Sequence, residues 1–161
     1  METREDFDGP VLTGQLVEII ENDSDKIAET WYREVKDSSY TPSVGGISEE
    51  DALKMATDVY RKLGYWLMRT HGHEVKETYH RFGEQLYWKH FRMEEVVMTL
   101  VLIKRYLWLH LLEGGLMTTR LELYQALELN NKVVLYFDRA IYFAIIGYKE
   151  ARAKDMADQA S

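Results

Sequence analysis

Apolar positions along this chain recur with the 3.6-residue period of a helix, and no segment shows the two-residue alternation of a strand. The most apolar stretch is Met93–Glu113, MEEVVMTLVLIKRYLWLHLLE. As a helix it would be roughly 30 Å long, the span of a small domain. At about 100° per residue, Glu95, Thr99, Tyr106, His110 and Glu113 fall in one narrow polar stripe. The rest of the circumference is apolar apart from Glu94, Lys104 and Arg105. Such a helix needs cover on several sides, which predicts a central helix with the others packed around it. It does not predict a membrane span. The uncharged run Val96–Ile103 falls well short of the ~20 apolar residues required, and Lys104 and Arg105 would each cost about 2.5 kcal/mol or more in the bilayer.

The same period places the other helices. Val11 to Asn22 carries Leu12, Leu16, Ile19 and Ile20 at helical spacing with Thr13 as candidate N-cap, and Ser24 is the candidate cap of a second helix containing Ile27, Trp31 and Val35. Asp37–Ile47, DSSYTPSVGGI, gathers Ser, Pro and Gly into a loop. Ser48 caps a third helix whose buried face is Leu53, Ala56, Tyr60, Leu63 and Leu67. After a separator at His71-Gly72-His73, the stripe Val75, Tyr79, Phe82 and Leu86 predicts a fourth helix ending near Phe91. Gly114-Gly115 is expected to close the central helix. Thr119 and Glu122 form a capping box for a final helix from about Arg120 to Lys154. The expectation is an all-α bundle of about six helices with a long C-terminal helix. One domain covers 12–154, between an acidic arm at 1–11 and a polar tail at 155–161.

Composition narrows the function. The 161 residues (19.0 kDa) suffice for one hydrophobic core, and both prolines, Pro10 and Pro42, lie in the first third. With no cysteine, a disulfide framework, a thiolate metal site and a Cys nucleophile are excluded. A net charge of −7 argues against nucleic acid and against anionic lipid. The start METREDFDGP lacks the basic-then-apolar pattern of a secretory signal, so a cytoplasmic location is expected.

Three places hold candidate chemistry. His73, Glu77, His80 and Glu84 share one helix face within about 60°, and Glu77-Thr-Tyr-His80 has the E-x-x-H spacing of di-iron bundles. No second E-x-x-H accompanies it, so the alternatives are a solvated face or adventitious metal binding at His73, Glu77 and His80. His90 projects on the side of Phe82 and Leu86, which predicts partial burial as a core histidine or, alternatively, a haem ligand; His110 is the other candidate. Lys104 lies opposite the polar stripe, amid Val97, Leu100, Val101, Trp108 and Leu111. It is either a snorkelling stem with a rim salt bridge or a positive anchor for a small anion or a partner's acid. No nucleophile–base pair, phosphate loop or H-E-x-x-H occurs, so an enzyme is not expected.

The order of these features also carries a resemblance. A helix with Gly83 near its middle leads to Lys89-His-Phe-Arg92, then Met93-Glu-Glu-Val-Val, then an apolar run into Lys104-Arg105-Tyr-Leu-Trp108, with Trp31 in an early DSDKIAETWYREV segment. This resembles the N-terminal domain of the stressosome RsbT co-antagonist proteins, a sensory domain also found ahead of histidine kinases, over most of residues 12–150. The resemblance implies a globin-like fold without haem, a homodimer, and a signal passed down the terminal helix to a signalling partner or output domain. It makes Gly83, Lys104, Arg105 and Trp108 fold-defining positions and transfers no catalytic residue. The sequence ends at Ser161, just past the final helix, so the expectation is either a domain that acts through a protein partner or one whose output domain lies outside this sequence. The expectation is a non-enzymatic, haem-free homodimeric sensor with no cofactor. Lys104, Arg105, His90 and Trp108 are its candidate ligand contacts, and Leu127, Val134, Ile141, Ile145 and Tyr148 its candidate dimer seam.

Overall fold

The computed structural model describes residues 11–67, 71–114 and 118–161. Seven helices are present among them and no strand: α1 (Val11–Asn22), α2 (Ser24–Val35), α3 (Glu49–Arg61), α4 (Leu63–Trp66), α5 (Gly72–Trp88), α6 (Met93–Glu113) and α7 (Arg120–Ala160). The all-α bundle with a long C-terminal helix is as the periodicity implied. The acidic arm lies outside the described residues except for Val11. The seventh helix arises because the expected third one breaks at Lys62 (φ −114°, ψ 24°), so Leu63–Trp66 forms a separate turn. No described helix is long and apolar enough to cross a membrane.

Several ends differ from expectation. Helix α1 already includes Thr13, and Ser24 opens α2 from inside, buried, while Asp23 takes the N-cap position without a side-chain hydrogen bond to the helix amides. Gly72 and His73 begin α5 instead of separating helices. The central helix ends at Glu113 with Gly114 in ordinary right-handed geometry (φ −71°), and Gly115 lies outside the described residues. Helix α7 continues past Lys154 to Ala160, where Tyr87 donates a hydrogen bond to Asp155. The caps at Ser48 and Thr119 match the sequence pattern: Ser48 Oγ accepts from the Asp51 amide at 3.1 Å and Thr119 Oγ1 from the Glu122 amide at 3.1 Å.

His90 requires a correction. The α5 spiral stops at Trp88, so projecting His90 along that helix fails. The Phe91 amide bonds back to the Leu86 carbonyl (3.0 Å) and the His90 amide to that of Tyr87 (3.0 Å), the paired bonds of a Schellman turn. His90 holds its left-handed position, with φ 66°, and is exposed, while Phe91 is buried. The expected core histidine is a surface corner.

Two layers sandwich the core. On one side α2 packs on α3 and α6, with Ala28, Ala52 and Ala56 fully buried so that α2 and α3 approach closely. On the other, α5 crosses α7 at backbone contact. A Cβ on Gly83 would lie 1.8 Å from the Ala144 carbonyl oxygen, and one on Gly147 would lie 1.9 Å from that of His80. Both positions therefore require glycine, although glycine weakens a helix interior by about 1 kcal/mol. Helix α6 packs on α2 and, antiparallel, on α7, with Tyr148 donating to the Phe91 carbonyl at 2.7 Å. Tyr60 donates to the Ile103 carbonyl at 2.5 Å, and Tyr79 meets Tyr136 hydroxyl to hydroxyl in the buried interior. Burial pushes the hydroxyls of Tyr60, Tyr79 and Tyr136 upward in pKa, keeping them neutral.

Candidate functional site

The central helix faces the opposite way from a conventional amphipathic helix. Glu95 and Thr99, members of its polar stripe, are fully buried with Val96, Leu100, Ile103, Leu107 and Leu111. Glu95 is buried because the 37–47 loop needs it: its carboxylate accepts from the Ser43 amide at 2.7 Å, the Ser43 hydroxyl at 2.6 Å and the Arg92 amide at 2.9 Å. Burial raises its pKa, but these bonds outweigh that and hold it below its ordinary value of 4.5. Further along the stripe, His110 bonds Asp23 of the α1–α2 junction at 2.8 Å.

What remains outward is apolar. Val97, Met98, Val101, Leu102, Trp108 and Leu109 are half-buried and Leu112 is exposed, interrupted by Glu94 and Arg105. Lys104 sits half-buried at the edge of this face, and no carboxylate among the described residues pairs with it. Arg105 is exposed; the Trp108 indole nitrogen is buried without an acceptor among the described residues. Helix α7 presents a comparable face. Tyr124, Leu127, Leu135 and Tyr142 are exposed, and Val134, Ile141 and Ile145 are half-buried. All seven fall within about 120° of one another around the helix. Seven of the eleven large hydrophobic side chains exposed among the described residues belong to α7. Tyr148 does not belong to this face: it is buried, with its hydroxyl on Phe91, because its position turns it towards the start of α6.

The candidate ligand contacts do not converge. His90 lines a cleft of about 300 Å³ with Tyr148 and Asp155, whereas Lys104 lies some three turns along α6, roughly 16 Å of helix rise from Met93. Neither His90, exposed at its corner, nor His110, paired with Asp23, is presented to a shared interior cavity as a haem ligand would be. The larger cleft, about 640 Å³, opens between α3 and α5 over Met55, Val59, Tyr79 and Phe82, and Asp51 reaches Lys89 across one end at 3.6 Å. The sequence offered no sign of this groove, because it exists only where α3 and α5, separated in the chain by the short α4, stand apart.

The histidine face of α5 divides. His73 pairs with Glu77 at 3.1 Å, and both are exposed. His80 turns away to α7, with Nε2 at 2.6 Å from Glu150 and Nδ1 at 2.9 Å from Glu84. Glu150 was not foreseen, since nothing local relates it to a residue seventy positions earlier. No protein family, curated protein or solved structure matches the chain.

Proposed function

We propose that this protein is a non-enzymatic sensing or regulatory module that works as a homodimer, paired through the outward faces of α6 and α7. The observation that carries this reading is the long apolar surface those two helices leave uncovered in one chain. Soluble monomers rarely expose large contiguous apolar patches, and such patches mark interaction sites. Lys104 at the edge of the α6 face and Arg105 within it supply positive anchors for acidic groups of a partner. Helix α7, about 60 Å long, extends from this face past the α5 crossing and is the element through which a change at the seam or in the α3–α5 groove would be relayed. The globin-like relation suggested by the sequence resemblance belongs to the same reading, and glycine at Gly83 where α5 meets α7 fits it.

Light scattering on the eluting protein tests the reading. The expected mass is twice 19.0 kDa, falling to a monomer in Leu127→Glu/Val134→Glu with the helical circular dichroism retained. A monomer at every concentration would overturn it.

A further inference from the structure

We propose that His80 and Glu150, with Glu84 behind them, form a site for a divalent transition-metal cation of the zinc class at the α5–α7 crossing. The ligand atoms of these three side chains all lie within 4.8 Å of one another. The two ring nitrogens face opposite edges of the imidazole, so a single cation takes only one of them. Nε2 and the Glu150 carboxylate, 2.6 Å apart, are the ligand pair. Glu84, with Oε1 2.9 Å from Nδ1, stands behind the ring where a carboxylate supports the histidine of many metal centres. The cation binds Nε2 in the tautomer that keeps the proton on Nδ1, and water completes the coordination shell.

Rigidity distinguishes this cluster from ordinary surface charges. His80 is the residue whose backbone carbonyl abuts Gly147, and Glu150 follows Gly147 by three positions. Both ligands thus stand on main chain fixed by a helix crossing at backbone contact, the kind of support a preorganised site needs. The His80 side chain is 29% exposed, which leaves an entry path. Imidazole with carboxylate suits zinc, nickel or cobalt and is poorly matched to magnesium or calcium, which take oxygen shells. The exposed His73–Glu77 pair on the same helix takes no part. The site does not depend on the dimeric reading.

Titration of the chelator-treated full chain with Zn²⁺, by calorimetry and by thermal unfolding, tests the proposal. One equivalent is expected to bind and to raise the melting temperature, with Mg²⁺ inactive. Glu150→Gln and His80→Gln abolish the effect, Glu84→Gln weakens binding about 10- to 100-fold, and His73→Gln leaves it unchanged. Should His80→Gln fail to fold, the two glutamate variants still decide, because both carboxylates are partly exposed. Absence of stoichiometric binding, an unchanged affinity in Glu150→Gln, loss of binding in His73→Gln, or an equal response to Mg²⁺ would each overturn it.

Discussion

The inner and outer faces of α6 and α7 are both built largely from apolar residues, yet only the inner one is covered by the rest of the chain. Behind it, hydroxyls of Tyr60 and Tyr148 close onto carbonyls, and two glycines bring α5 and α7 to backbone contact. Unpartnered polar atoms do not separate the two faces: the Trp108 indole nitrogen lies on the outer side, while Thr99 Oγ1 and the Gln125 amide, without partners among the described residues, lie on the inner one. Apolar content alone therefore does not mark a completed core. Cover by other helices and close backbone approach do.

The sharpest break in that contrast is at the glycines. Gly83→Ala or Gly147→Ala should destabilise the fold by about 3 kcal/mol or more, because the new methyl meets helix backbone that cannot yield. Gly14→Ala, where nothing lies within 4 Å, should instead stabilise by up to about 1 kcal/mol. Denaturant unfolding of the three variants would expose any error in the crossing, since equal effects at all three sites contradict it.

Next in size is Glu95→Gln, expected to cost about 2 kcal/mol near neutral pH by weakening charge-assisted bonds to Ser43 and Arg92. Its folded pKa is depressed, so its contribution is complete above the ordinary carboxylate value of 4.5 and disappears as pH falls through the lower folded value. Melting curves of wild type and variant should converge in acid; a constant gap down to pH 2 would contradict the assignment.

On the outer face, Leu127→Glu should change the stability of dissociated protein by no more than about 0.5 kcal/mol, because Leu127 is 57% exposed. The concentration dependence of the wild-type melting temperature should vanish with it. A further change concerns the corner between α5 and α6. His90→Gly should stabilise by about 0.5–1 kcal/mol, since glycine accepts the left-handed backbone without a Cβ clash, and a loss of stability there would contradict the Schellman turn.

Local rules read directly from the sequence did well wherever the deciding partner was near in the chain. The caps at Ser48 and Thr119, the break near 37–47 and the Val75–Tyr79–Leu86 stripe needed only neighbours a few residues away. His90 failed for a related reason: one unforeseen turn ends the helix, and every angle projected beyond it is meaningless. Tyr148 and Glu150 share one helix within two residues, yet one faces α6 and the other α5; α7 is apolar or aromatic over too much of its circumference for pattern to rank its sides.

The sequence by itself determined that this chain is helical and where most of its helices begin, because period, caps and breakers act over a few residues. Tertiary structure alone decided which way α6 faces, placed Glu95 inside and left Val101 and Trp108 outside, and joined His80 to Glu150. Those outcomes depend on contacts between residues far apart in the chain. A buried carboxylate is stable only where a loop supplies its donors, and nothing in the local pattern of Met93–Glu113 reveals that the 37–47 loop will supply them.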